Sequence, residues 1–156
     1  MVVLEFCQDQ LEIAVCPNRE AMGCTAAAEV GALIQRLLET RQYINMMFAA
    51  APSQSEFLEE LLQMEGIDWS RVNGFHLDEY VGLDKTHPQR FAAFLGNHIF
   101  DKAPFNKVYY IEDTDLKGDG VVCRYSNLLR EHPIDIACIG IGENGHIAFN
   151  DPHVAD

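Results

Sequence analysis

The chain has 156 residues, 48% hydrophobic and 22% charged, with 24 acidic against 11 basic side chains for a formal net charge of −13. That length holds one domain with a real core, and the composition is that of an ordinary globular protein rather than a disordered or fibrous one. The acidic excess makes nucleic acid and anionic membranes poor partners, since clustered Lys and Arg hold both, but a small anionic ligand stays open because one pocket can be amide-rich or positive within an acidic protein.

No apolar run approaches the roughly 20 residues of a membrane span. The opening MVVLEFCQDQLEIAVCP has early acids and lacks the basic region that starts a secretory signal. Cys7, Cys16, Cys24, Cys123 and Cys138 are an odd number at irregular spacing. This argues against a disulfide framework and against a zinc site, and predicts a reducing, cytoplasmic setting. Cys138, inside an apolar run, is expected to act as a small hydrophobe.

Residues 11–15 (LEIAV) read as a short strand or an extended entry segment. From 19 to 40 the chain is alanine-rich, and Val30, Leu33, Ile34, Leu37 and Leu38 recur at three and four, one face of a helix. The run YINMMFAAA (43–51) predicts a buried parallel strand. Pro52-Ser53-Gln54-Ser55-Glu56 then leads into a second helix through Phe57, Leu58, Leu61 and Leu62, with Ser53 and Glu56 in capping-box spacing. A loop joining a strand's carboxyl end to a helix N-terminus offers free N–H groups to a phosphate or carboxylate. Ser53, Gln54 and Ser55 could add donors, although simple capping accounts for this loop taken alone.

After Gly66, residues 73–77 (NGFHL) form a third strand that runs into Asp78-Glu79-Tyr80-Val81-Gly82-Leu83. Carboxylates at the end of a buried strand are costly unless paired or used; a turn cap at Asp78 with Glu79 exposed is the alternative. A loop with Lys85, His87 and Pro88 precedes a helix at 89–99, a fourth strand follows at 107–111, then a polar turn at 113–120 and a helix at 121–130. The last stretch, IDIACIGIGENGHIAFNDP (134–152), begins as a buried strand and breaks on Gly140, Gly142 and Gly145. It delivers His146 between Asn144 and Asp151, a plausible acid–base pair.

The order β-α-β-α-β-α-β-α-β, with connections too long for hairpins, predicts an α/β fold of three α/β/α layers around a Rossmann-like, mostly parallel sheet. The loops at 51–55, 78–82 and 142–151 all follow strands and therefore converge on one edge of it, where such sheets bind ligands. One α/β domain over residues 1–156 is expected, as the N-terminal part of a longer domain, because no further helix covers the last strand.

Two segments, HLDEYVGL (76–83) with His87-Pro88 after it, and GIGENGHIAFNDP (140–152), resemble the hallmark segments of the glucosamine-6-phosphate deaminases, also called isomerases. The 6-phosphogluconolactonases share that fold but typically carry Arg after the D-E pair and G-H-T-A-S-L-F after the glycine turn; Tyr80 and Ile147-Ala148-Phe149-Asn150 side with the deaminases. The resemblance implies conversion of an amino-sugar phosphate to fructose 6-phosphate and ammonia with no metal or organic cofactor. It implies His146 as the ring-opening proton shuttle, Asp151 and Asn144 as its partners, and Asp78 as the base at C2. It further implies substrate or phosphate contacts from Ser53, Gln54, Ser55, Glu79, Tyr80 and Gly145. The expected partner is a small-molecule sugar phosphate, with homo-oligomerisation left open. The sequence departs from the family pattern in a phosphate loop that reads AAPSQS rather than rich in Gly and Thr, in Asn144 where some members have Asp, and in Asp151 where Glu is common. A lactonase, or a non-catalytic sugar-phosphate-binding module, stands as the alternative.

Overall fold

The computed structural model describes residues 2–111 and 119–152. The chain opens with strands β1 (Leu4–Gln8) and β2 (Leu11–Val15), continues through helix α1 (Arg19–Leu38), strand β3 (Ile44–Phe48), a 3-10 turn (Pro52–Gln54) and helix α2 (Ser55–Gln63). Then come β4 (Val72–His76), helix α3 (Phe91–Leu95) extended by a π turn (Gly96–Phe100), β5 (Lys107–Tyr109), α4 (Asp119–Glu131) and β6 (Ile136–Cys138). The polar turn expected at 113–120 lies outside the described residues except for its last two, which open α4.

Four strands form one parallel sheet in the order β5-β4-β3-β6. The chain steps outward from β3 through β4 to β5 and then returns to the far side of β3. The direction of winding therefore reverses between β3 and β6, the kind of switch point at which open α/β sheets leave a crevice. Register sets the heights: Phe48 is level with His76 on one side and with Cys138 on the other. The ladder continues one step further, with Ala49 N–H donating to the Cys138 carbonyl and Leu77 N–H to the Phe48 carbonyl.

One expectation is corrected. The segment 11–15 is a strand, but it does not join the parallel sheet. It pairs antiparallel with β1, Leu4 opposite Val15 and Gln8 opposite Leu11, as a separate two-stranded hairpin. The turn between them passes through Asp9 at φ 56°, a left-handed conformation that aspartate tolerates better than most residues.

The sheet is covered unequally. On one face Ile34 and Leu38 of α1, Leu58 and Leu61 of α2, and Leu95, Ile99 and Phe100 pack on Ile44, Met46, Phe48 and Val72. On the other, Met47 and Phe75 meet Tyr125 of α4 with Leu128 and Leu129 beside it. Adjacent residues Met46 and Met47 enter opposite cores because successive strand side chains alternate. Cys138 is buried, and burial pushes its thiol up to about 12, so it packs as an apolar group.

Tyr125 does more than fill space. Strand β5 ends level with Phe75, one residue short of the end of β4. Beyond that point the Tyr125 hydroxyl caps the strand, accepting from His76 N–H at 3.1 Å and donating to its carbonyl at 2.7 Å. Burial raises its pKa far above the ordinary phenol value. Replacing Tyr125 with Phe keeps the ring and removes both bonds to the buried His76 backbone; it should lower stability by about 1–3 kcal/mol. Urea denaturation of the wild type and Tyr125→Phe checks this, with an unchanged midpoint counting against the assignment.

Candidate active site

At the switch point the loops after β3, β4 and β6 enclose a cleft of about 200 Å³. Its lining includes Ala51 and Ser53 from the first loop, Asp78 from the second, and Gly140, Gly142 and His146 from the third, with Phe91 and Phe149 as aromatic walls. A larger cleft of about 550 Å³ lies between the β1–β2 hairpin and α1. Its ionisable lining is Glu5, Glu12 and Glu29 with two cysteines, and no end of a parallel strand reaches it. The smaller cleft, at the ends of the parallel strands, is the candidate site.

His146 is held by its own loop. The Gly145 N–H donates to the Gly142 carbonyl, and the Gly142 N–H donates to the His146 carbonyl, both at 2.9 Å. Gly145 sits at φ +83°, which glycine adopts without strain. Gly142 serves by close approach: a methyl group on its Cα would overlap the imidazole of His146.

The tautomer follows from donor logic. The Asn144 Nδ2 donates to Asp151 Oδ1 at 3.0 Å, which turns its carbonyl oxygen toward His146 Nδ1. That oxygen only accepts, so Nδ1 carries the hydrogen and the Nε2 lone pair is left for chemistry. Asp151 Oδ1 also lies 3.3 Å from Nδ1. Asn144 therefore makes the shorter contact with the ring, and Asp151 supports both.

Asp78 is half buried at the mouth of β4. Removal from water pushes its carboxyl above the ordinary range, and the neighbouring negative charge of Glu79 adds to the shift. Below it, His76 is fully buried and its ring nitrogens have no hydrogen-bond partner. Burial pushes its pKa down to about 4, against a partial pull upward from Glu79, so at neutral pH it is an uncharged floor under the site.

The remaining expected site residues divide. Ser53 lines the cleft, while Gln54 is buried behind it, beside Gly140. Ser55 is the first residue of α2. The capping box is not formed: the N-cap of α2 is Gln54, with no side-chain cap bond, and the Glu56 carboxylate is taken by Arg19, which also donates to the Pro52 carbonyl. Glu79 is neither exposed nor turned into the cleft. Its carboxylate accepts from Arg90 and from the amides of Tyr80, Phe91 and Ala92. Tyr80 is partly exposed and packs on Phe91 and Phe149. Phe91, Phe149 and Arg90 were given no place in the site by the sequence, although Phe149 belongs to the deaminase-like segment. Ala148, in the cleft wall at φ +54°, is a further such residue; a left-handed alanine costs about 1–2 kcal/mol, strain of a kind that gathers at functional sites.

A parallel sheet whose winding reverses between β3 and β6, with Asp78 and His146 lining one cleft at that point, defines a doubly wound α/β fold. Residues 17–149 match the family model described as glucosamine-6-phosphate isomerases/6-phosphogluconolactonase, and the chain belongs to that family. A glucosamine-6-phosphate deaminase of Streptococcus pneumoniae serotype 4 (strain ATCC BAA-334 / TIGR4) is 32% identical over 135 residues, which cover 86% of this chain and 56% of that protein. The chain thus spans little more than half the length of that curated relative. Among solved structures, a monomeric glucosamine-6-phosphate deaminase superposes with a TM-score of 0.78 at 23% identity, over 88% of this chain and 58% of that one. A 6-phosphogluconolactonase from Plasmodium vivax superposes with a TM-score of 0.81 at 15% identity, over 96% and 55%. These two likenesses concern the fold alone. Among the described residues, no helix is long and apolar enough to cross a membrane.

Two outcomes are expected. Gly142→Ala should displace the His146 ring and depress turnover by about 100-fold, with the thermal midpoint little changed because the loop is at the surface; wild-type activity in this variant would show that the ring position is not used. His76 should make the fold acid-sensitive. Its folded pKa of about 4 lies below the unfolded value of 6.5, so the unfolded chain binds the proton more readily between them. Its contribution is complete above pH 6.5 and is lost as pH falls through about 4, worth up to about 3 kcal/mol. Urea unfolding of His76→Leu against wild type at pH 7 and 4.5 checks this; the variant should lose less on acidification.

Proposed function

We propose that this chain carries the acid–base half of an amino-sugar-phosphate deaminase/isomerase, acting on glucosamine 6-phosphate or a close epimer to give the ketose 6-phosphate and ammonia. The observation that supports it is a single cleft at the switch point lined by both Asp78 and His146. His146 Nε2 takes the anomeric hydroxyl proton and returns it to the ring oxygen as the C1–O5 bond breaks, giving the open-chain aldehyde. Asp78 then removes the proton at C2. The C–H electron pair forms a C1–C2 double bond while the carbonyl oxygen takes a proton from the substrate's own ammonium group. Asp78 then returns the C2 proton to C1, and the nitrogen lone pair forms a C=N bond at C2. Water adds there and ammonia departs, leaving the ketone.

A carboxylate in a half-dry site suits this, since a raised pKa makes it a stronger base toward carbon. Asn144 and Asp151 keep His146 in one tautomer and steady its charged form. The phosphate is expected at the loop after β3, where Ser53 lines the cleft and can donate. No metal or organic cofactor enters this scheme.

The same reading treats the chain as part of a longer α/β domain, on the ground of the length of its relatives. It takes a small sugar phosphate rather than nucleic acid as the partner, leaves homo-oligomerisation open, and places the reaction in the cytoplasm, in keeping with five free thiols. Because the family includes the 6-phosphogluconolactonases, lactone hydrolysis with His146 activating water is the second reading; ammonia release measured beside lactone hydrolysis separates the two.

In the whole protein, Asp78→Asn should abolish exchange of the C2 proton with solvent while sugar-phosphate binding persists. Exchange of C2 deuterium at the wild-type rate in that variant would remove Asp78 from the mechanism.

A further inference from the structure

Glu79 has no part in that chemistry, yet its side chain is only 3% exposed. Oε2 accepts from Arg90 Nε and from the Ala92 amide, each at 3.1 Å; Oε1 accepts from the Phe91 amide at 3.0 Å and from the Tyr80 amide at 2.9 Å. Arg90 is 6% exposed and donates onward to the Ile111 carbonyl at 3.3 Å. Four donors on two oxygens leave this carboxylate saturated and closed to a ligand.

What it grips is informative. One donor belongs to the loop that carries Asp78, and three belong to the start of α3. The Phe91 ring stacks on Phe149 with centroids 5.5 Å apart and planes 19° from parallel, and Tyr80 packs on both, at 4.8 and 5.3 Å. Phe149 stands three residues after His146. A continuous series of contacts thus runs from the residue beside Asp78, through Glu79 and Phe91, to the loop that presents His146. A buried ion pair adds little stability over apolar packing, and its best-attested use is to fix registry.

We propose that Glu79 is a positioning residue, whose buried carboxylate locks the Asp78 loop to α3 and, through the three packed rings, sets where Asp78 stands relative to His146. This rests on Asp78 and His146 as the acting pair. The charged and titratable groups around Asp78 are Glu79 on its own loop, Arg90 on the approach to α3, the neutral His76 on β4 and His146 across the cleft. Losing the Glu79 charge, leaving Arg90 without its partner and admitting water all act on the Asp78 carboxyl in one direction, downward.

The test is carbon-13 NMR of the Asp78 carboxyl and proton contacts between the Tyr80 and Phe149 rings, in the whole protein and its Glu79→Gln variant, with Asp78→Asn assigning the signal. The expected result is a lower Asp78 midpoint, loss of the ring contacts, and a C2-exchange rate reduced about 100-fold with the sugar-phosphate Kd changed less than about threefold. If Glu79→Gln does not fold, Glu79→Gln/Arg90→Leu, with neither charge left buried, is read by the ring contacts alone. Wild-type midpoint and ring contacts in Glu79→Gln, or intact ring contacts in the double variant, overturn the proposal. A failure of the base assignment appears elsewhere, as C2 exchange surviving Asp78→Asn, and leaves the ring and titration readouts standing.

Discussion

The constraint on which the rest depends is the level ending of three parallel strands. Phe48, His76 and Cys138 lie side by side in the ladder, so the loops that follow leave the sheet at one height. Parallel pairing puts all three on the same rim, and the reversal of winding between β3 and β6 holds the first and third apart enough to leave a crevice. Asp78 and His146 are 68 positions apart in sequence (146 − 78) and share a cleft because of that ladder. Tyr125 finishes the outer edge of β4 where β5 runs out, so the strand that presents Asp78 is bonded on both sides up to its last residue.

Charge is arranged differently from what the net value suggests. A formal charge of −13 is hostile to a phosphorylated sugar at long range, and among the described residues the cleft lining includes no lysine or arginine. Glu79 beside Asp78 would make matters worse were it free. Instead its charge is balanced by Arg90 and spread over three amides, with enough remaining to help raise Asp78. On the proposed reading, attraction for an anion is left to Ser53 on the loop after β3, a short-range donor that acts in spite of the acidic surface.

Much of this was legible in the sequence, for identifiable reasons. β3, β4 and the strand before the glycine turn are apolar runs between turn residues, and they appear within a few residues of the expected places. The three loops are marked because polar groups directly after buried strands have few explanations. What was not legible depends on partners distant in sequence. Ser53 and Glu56 have capping-box spacing, but Arg19, at the head of α1, captures Glu56 first. The hairpin escaped notice because residues 11–15 look the same whether they pair with β1 or with a parallel neighbour; the polar Gln8-Asp9-Gln10 step between two short strands was the available signal. Glu79 looked like a ligand because one in four carboxyl partners only, Tyr80, is local; the other three arrive with α3.

The fold alone does not divide the two chemistries in this family, since a deaminase and a lactonase superpose on the chain almost equally well. The division lies in what must be deprotonated. Lactone hydrolysis needs a base for water and a place for an oxyanion, and a histidine with a free Nε2 meets the first need by itself. Aldose–ketose conversion needs in addition a base for a carbon-bound proton, held over one carbon and able to return the proton to the next. On the proposed reading, a carboxylate whose pKa is raised by burial, set on a loop clamped to the cleft wall, supplies that second base. On the proposed reading, the feature that tilts this chain toward the deaminase is therefore Asp78 and the buried contacts behind it, more than the histidine that both reactions would use.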